Sequence, residues 1–330
     1  MRVLAMLHLF PPHHNAGAER MVLAMLRALV DQGHEVDVVL SQKHPEITGS
    51  YELHGIRVHP YRGKTDPFAF IPTADVIVTH LENTPRAAAL GESYKIPTVK
   101  VVHNTFTPTR KQIQRGISLA VYNSQWMAEE FSDLRVNSIV VRPPVSVADY
   151  QTTPGDCITL VNLYEPKGPK TFYALAERFP DLTFLAVHGA YGKQVVRDLP
   201  NVEHVQHIDG DRMRDEVYSR TKILLVPSDY ESWGRVGIEA MASGIPVIAH
   251  PTPGLKESLG DAGIFCDRRK IDDWEEAITG LLKPRAYAAA AKKAKKRAAE
   301  VDPTEDLERW CAAMDELAEQ RAHFRHLEPA

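Results

Sequence analysis

Cysteine is scarce in this 330-residue chain: Cys157, Cys266 and Cys311 are far apart, odd in number and without the paired spacing of a metal site. A disulfide framework and a zinc site are therefore not indicated, and a reducing, cytoplasmic setting is expected. No apolar run approaches the roughly 20 residues of a membrane span. Residues 1–10 look superficially like a secretory leader, but Pro11, Pro12, His13 and His14 follow with no small-residue cleavage site. That segment reads as a first buried strand. An excess of one charge is also missing: residues 1–150 hold 15 Lys and Arg against 14 Asp and Glu, the remainder 24 against 29, and the formal net charge is -4. Neither half has the basic surplus of a dedicated nucleic-acid binder. Glycine is short where a nicotinamide site would need Gly-x-Gly-x-x-Gly: residues 10–17 supply one, Gly17, which argues against hydride chemistry.

What is present is a soluble, globular composition, 44% apolar and 25% charged, long enough for two domains. Apolar runs at 3–9, 35–40, 75–79, 98–102, 118–122 and 138–141 alternate with helical patterns, the first at 21–31 closed by Gly33. The pattern predicts a parallel, doubly wound α/β sheet. Periodicity stops between Pro143 and Gly155, and a second β-α series starts at 157–162, with helices at 171–179 and 211–220 and strands at 183–187 and 223–226. We therefore place domains at 1–145 and 146–303. An alanine- and lysine-rich helix is expected over 288–299, and a terminal helix over 304–330 packing back toward the first domain.

Residues 227–249 are the most informative stretch. A buried strand leads into Pro227, Ser228, Asp229, Tyr230 and Glu231, a turn at Ser232, Trp233 and Gly234 opens a helix holding Glu239, and an apolar strand at 245–249 leaves it. Open α/β sheets bind ligands at such units. The helix start presents unpaired N–H groups and a positive dipole end, which suit a phosphate, and Gly234 lets a ligand approach the backbone. Carboxylates would repel a phosphate, so the partners of Glu231 and Glu239 would be sugar hydroxyls, which donate. On spacing alone, two glutamates on solvated faces account for the pattern better.

The segment resembles the signature of the family-4 retaining glycosyltransferases of the GT-B fold. A Pro-Ser pair, two glutamates separated by seven residues, a glycine in the turn and Glu239-Ala240-Met241-Ala242, then Gly244, Pro246 and Val247, all stand in order. The resemblance implies two Rossmann-like domains facing a cleft and transfer of a sugar from a nucleoside diphosphate sugar (UDP- or GDP-linked) to an acceptor hydroxyl. It further implies retained anomeric configuration and no catalytic metal or other cofactor. By that resemblance Glu231 meets the donor sugar, Glu239 the ribose, and the backbone of Trp233, Gly234, Arg235 and Val236 the diphosphate. Glu165, Pro166, Lys167 and Gly168 look like the family's Glu-Lys-Gly element, with Lys167 on the diphosphate. Asn15, Ala16, Gly17, Ala18 and Glu19 are similar to its Gly-Gly loop, and His103 matches its cleft histidine beside the transferred sugar. Gly189 and Tyr191 are a plausible wall for the nucleobase.

Two positions depart from the pattern. Where the family has a second cation on the diphosphate, this chain has Asn162, which brings a hydrogen bond without charge; Arg235 and Arg142 are the candidate replacements. The first glycine of the loop is Ala16, which narrows the approach of a phosphate. Asp209, Gly210 and Asp211 carry the letters of a metal-binding Asp-x-Asp but read as a loop with Asp211 as helix N-cap. His13, His14, Asn15, Asn104, Arg110, Lys111 and Arg115 would face an acceptor, anionic if these cations act on it. The basic face Lys292, Lys293, Lys295, Lys296 and Arg297 reads first as solvated surface, with docking to anionic lipid, and so a peripheral membrane location, or to nucleic acid as the alternative. The acceptor remains open among a saccharide, a lipid-linked species, a small molecule and a modified nucleic acid. An epimerase or sugar phosphorylase of the same fold, and a non-catalytic sugar-nucleotide or polyanion binder, are the alternative functions.

Overall fold

The computed structural model describes residues 1–63, 66–113 and 116–327. The chain divides into two compact units, one formed by Met1–Pro144 with Pro303–Ala330, the other by Val145–Asp302.

In the first unit the strands are β1 (Arg2–Leu7), β2 (Glu35–Leu40), β3 (Tyr51–Leu53), β4 (Ile56–His59), β5 (Val76–His80), β6 (Thr98–Val102), β7 (Leu119–Tyr122) and β8 (Ser138–Val140). They lie in the order β3-β4-β2-β1-β5-β6-β7-β8, parallel except for the antiparallel β3–β4 pair. β5, β6 and β7 are buried on both faces, the reason they read as unbroken apolar runs. The sheet grows in opposite directions from β1 and β5, so the loops that follow these two strands flank the switch point where such sheets bind ligands. The helix Gly17–Asp31 turns Met21, Val22, Met25, Leu26 and Leu29 onto the sheet. The terminal helix Thr304–Leu327 adds Trp310, Cys311 and Met314 to the same core, each large apolar side chain contributing about 1.5–3 kcal/mol. It is latched by Trp310 Nε1, which donates to the Met25 carbonyl at 2.9 Å. Asp306 supplies a second latch, accepting from the backbone N–H and Nε of Arg142 at 3.0 and 2.6 Å.

In the second unit β9 (Cys157–Val161), β10 (Phe184–Val187), β11 (Val202–Val205), β12 (Thr221–Val226), β13 (Val247–Ala249) and β14 (Ile264–Phe265) form a parallel sheet in the order β11-β10-β9-β12-β13-β14. The reversal falls between β9 and β12, which puts the loop carrying Lys167 beside the loop carrying Glu231.

Several expectations are corrected. The helix expected at 211–220 is one turn, Met213–Glu216, and a 3-10 turn, Tyr218–Arg220, because Val217 departs from helical geometry between them. Its N-cap residue is Arg212 and not Asp211, with no side-chain cap bond. β11 was not anticipated because Val202, Glu203, His204 and Val205 form a half-exposed edge strand without an apolar run. Among the described residues no helix is long and apolar enough to cross a membrane.

Candidate active site

The helix Arg235–Ala242 begins directly after the turn at Ser232, Trp233 and Gly234. Its N-cap is Gly234, held at a φ of 90°, where a side chain would be strained and a Cβ would sit 2.6 Å from Leu255 Cδ2. Glycine is therefore required to turn the chain from β12 into the helix. The Gly237 N–H donates to the Gly234 carbonyl at 3.0 Å, and the positive end of the helix dipole at this start favours an anion. Trp233 turns its indole into the core and offers only backbone at this turn, and Val236 lies partly buried one residue into the helix.

Beside that turn Lys167 Nζ donates to Glu231 Oε1 at 2.6 Å, and Ser228 Oγ donates to the same oxygen at 2.8 Å. Burial works against the charged amine, but the Glu231 carboxylate outweighs it and holds the Lys167 pKa above the usual lysine value. The two loops are stitched by the Asp229 N–H, which donates to the Pro166 carbonyl at 2.9 Å, and Arg268, from the segment after β14, pairs with Asp229 at 3.3 Å.

Glu239 is 5% exposed and braced on both oxygens. Tyr218 OH donates to Oε2 at 2.7 Å and Arg235 Nε to Oε1 at 3.0 Å, while Arg235 Nη2 donates to Tyr150 OH at 3.1 Å. Burial first, then the adjacent carboxylate, pushes the Tyr218 phenol well up, so it remains a donor. Each carboxylate oxygen keeps a second lone pair for a ligand hydroxyl. The guanidinium of Arg235 is thus aimed at Glu239 and Tyr150, and Arg142 is bound to Asp306. The two cations expected to offset Asn162 are committed to structural partners.

Asn162 itself sits at a φ of 74°, an arrangement asparagine tolerates better than most residues. Its Oδ1 accepts from the Tyr164 N–H at 3.0 Å, and its side chain fills the space beside Gly189, where a Cβ would come within 2.2 Å of Asn162 Cγ. Through Oδ1 the asparagine braces its own loop. The loop holding Gly189 and Tyr191 is shaped by Gln194, whose Oε1 accepts from the Leu163 and Gly189 N–H groups at 2.9 and 2.8 Å. Its Nε2 donates to the carbonyls of Tyr191 and Gly192 at 2.9 and 3.1 Å. The Tyr191 ring is exposed and stands edge-on to Tyr164 at 5.9 Å. Gln194, Tyr218 and Tyr150 were not singled out in the sequence, because each acts on a residue that no local pattern links to it.

In the first unit Ala16 is the N-cap of Gly17–Asp31 without a side-chain cap bond, and a Cβ on Gly17 would meet open space. Asn15 precedes this turn. Glu19, in the first helical turn, lies 3.3 Å from His8 Nε2 and 3.9 Å from His14 Nε2. Burial pushes its carboxyl up to about 7. His103 Nε2 lies 3.1 Å from His80 Nδ1, and burial, then the Lys100 charge, lowers His103 to about 3. It is therefore a neutral hydrogen-bonding group. His13 belongs to a separate, more exposed group, 3.3 Å from Glu46 and 5.6 Å from the His44 ring.

Two acceptor-side candidates have partners within the chain. Asn104 Oδ1 accepts from Thr109 Oγ1 at 2.6 Å and from the Phe106 N–H at 3.1 Å, so it shapes the start of the helix Thr107–Gln112. Arg110 pairs with Asp133, donates to the Glu130 carbonyl at 3.2 Å and covers the Phe131 ring. Lys111 is exposed on that helix, and Arg115 lies outside the described residues. On the basic helix, observed as Pro284–Glu300, Arg297 is not a free cation: it donates to the carbonyls of Ser258 and Glu257 at 2.8 and 2.7 Å.

Two parallel doubly wound sheets, the second carrying a glutamate pair around a helix start, have the architecture of the GT-B fold. The sequence profile described as "Glycosyl transferases group 1" matches residues 158–299, and that described as "Glycosyltransferase Family 4" matches residues 15–148. The chain belongs to the family-4 glycosyltransferases. It is 28% identical over 239 residues to the D-inositol 3-phosphate glycosyltransferase of Corynebacterium aurimucosum, covering 58% of this chain and 56% of that protein. It is 31% identical over 139 residues to that of Mycobacteroides abscessus, covering 38% and 31%. The match spans at most about half the length of these curated relatives. Among solved structures, Anabaena HepE in complex with UDP-glucose superposes with a TM-score of 0.79 at 17% identity, covering 96% of this chain and 100% of that one. Sucrose-phosphate synthase from Thermosynechococcus elongatus superposes with 0.76 at 17% identity, covering 97% and 99%.

Proposed function

We propose that the protein transfers a sugar from a nucleoside diphosphate sugar to an acceptor hydroxyl with retention of configuration, without a metal at the diphosphate. The reading is carried by one observation: the Lys167–Glu231 pair stands beside the helix start at Gly234. A diphosphate on the amides of Trp233, Gly234, Arg235 and Val236 takes its counter-charge from Lys167, which stabilises the negative charge that grows as the glycosidic bond breaks. The braced Glu239 accepts from the ribose and Glu231 from the sugar. Glu231, bound by a cation and a hydroxyl on one oxygen, is a poor nucleophile. The acceptor oxygen then bonds to the anomeric carbon on the face the diphosphate leaves, and its proton passes to the departing phosphate. His103, neutral, serves as a hydrogen-bond partner of the sugar.

The test is incubation with UDP-, GDP- and ADP-sugars, with and without D-inositol 3-phosphate, the acceptor in the names of the curated relatives, and with neutral polyols and saccharides. Acceptor-dependent release of the nucleoside diphosphate, a product anomer matching the donor by NMR, and no gain on adding Mg²⁺ or Mn²⁺ are expected. Donor consumption without acceptor would replace the reading by an epimerase, and donor binding without turnover by a sugar-nucleotide binder.

A further inference from the structure

Beyond the donor loops, His8 Nδ1, Glu19 Oε2 and His80 Nε2 are three of the buried polar atoms without a hydrogen-bond partner among the described residues of the first unit. Their residues are 8%, 2% and 0% exposed, and one ligand atom from each lies within 4.8 Å of the other two. The topology brings them together: His8 follows β1, His80 ends β5, and Glu19 lies in the first turn of the helix between β1 and β2. Buried polar atoms in folded proteins almost always have a partner, so a convergent set of orphans marks a site for a water or an ion. The donor set favours an ion, because two imidazoles and one carboxylate are the ligands that zinc-type metals take in open sites.

We propose that His8, Glu19 and His80 bind one divalent transition-metal ion of the zinc type. The ion has a consequence for His103. With His80 Nε2 on the metal, the proton of that ring is on Nδ1, which lies 3.1 Å from His103 Nε2. His80 then donates, His103 accepts, and the His103 proton is fixed on Nδ1. His80 thereby becomes a positioning residue, fixing tautomer and ring orientation as outer-shell partners of metal ligands do. Only this last consequence rests on the proposed transfer reaction; metal binding does not.

The experiment uses the full chain carrying His44→Gln, which removes the exposed rival group His13, His44 and Glu46, stripped with EDTA and titrated with Co²⁺ and then Zn²⁺. One Co²⁺ per chain, with visible absorption displaced by Zn²⁺, and a Zn²⁺-dependent rise in Tm are expected. Affinity should fall at least about 100-fold in Glu19→Gln and His80→Gln. Circular dichroism verifies folding, and His8→Gln replaces either variant that fails to fold. Absence of Co²⁺ and Zn²⁺ binding, or equal binding by the parent and the ligand variants, would overturn the site and leave it to a water molecule. Imidazole ¹⁵N–¹H correlations that do not change at His103 on adding Zn²⁺ would overturn the positioning role. None of these readouts requires sugar transfer, so failure of the site and failure of the transferase reading are distinguishable.

Discussion

Lys167 and Glu231 meet at 2.6 Å across two loops that follow different strands of the second sheet. The pair holds a cation and an anion ready at one point: the lysine for a leaving diphosphate, the carboxylate for a hydroxylated ring. Lys167→Met removes the cation and leaves the carboxylate largely buried with Ser228 alone. We expect kcat/KM to fall roughly 30- to 150-fold, the equivalent of about 2–3 kcal/mol for one charge-assisted bond. Steady-state kinetics with the best donor measure it, and an unchanged kcat/KM would remove Lys167 from the reaction.

Tyr218 and Arg235 hold opposite oxygens of Glu239, so Tyr218→Phe frees one oxygen without unpairing the charge. A hydrogen bond to a charged group contributes about 1.5–3 kcal/mol, and part of that loss should fall on donor binding as the carboxylate rotates. The expected outcome is a donor KM raised about tenfold with kcat altered by less than about twofold. A fall in kcat at constant KM would show that Glu239 acts in the transition state and not in holding the nucleotide.

Asn162 and Gly189 are fitted to each other, so their substitutions should couple. Gly189→Ala drives a methyl into the Asn162 side chain and should cost about 1–3 kcal/mol by overpacking. In the Asn162→Gly background the same change meets space, and more than half of that loss should be recovered. Urea denaturation of the four proteins of the cycle measures the coupling. Additive losses would mean that the loop moves aside and that the contact places no constraint on Asn162.

These couplings show which parts of the site could be read from sequence. The alternation of apolar runs predicted both parallel sheets because buried parallel strands are apolar on both faces, and the ordered signature from Pro227 to Val247 located Glu231, Glu239 and the turn between them. Lys167 was found because its motif follows a strand directly. Tyr218, 21 residues from Glu239, and Tyr150, 85 residues from Arg235, have no such mark: a tyrosine reads alike whether it fills a core or braces a carboxylate. Arg235 was recognised as a cation, but its target was not, since the i, i+4 reach to Glu239 becomes decisive only once both are buried. The hairpin β3–β4 and the edge strand β11 escaped because short, half-exposed strands carry too little apolar periodicity. His8 and His80 stood in the sequence as separate histidines, 72 positions apart, and only the order of β1 and β5 in the sheet brings them together.

Lys100 gives the pH dependence a definite sign. It lies within β6, is 1% exposed, and donates to Gln112 Oε1 at 2.8 Å and the Thr109 carbonyl at 3.3 Å. Burial lowers its pKa from 10.5 to about 7. Below about pH 7 the amine is charged in both folded and unfolded chains, and the burial penalty is felt in full. Above it the folded protein sheds a proton that the unfolded chain keeps until about 10.5, so the unfolded state binds more protons and stability rises with pH. The slope from this residue is at most about 1.4 kcal/mol per pH unit. Buried Cys157, Cys266 and Cys311, each pushed up to about 11, act in the opposite sense once unfolded thiols ionise near 9. The clean window is therefore about pH 7 to 8.5. In that interval urea midpoints of the parent protein should climb relative to those of Lys100→Met. Parallel curves for the two proteins would show that Lys100 stays charged, with its hydrogen bonds to Gln112 and Thr109 outweighing the cost of burial.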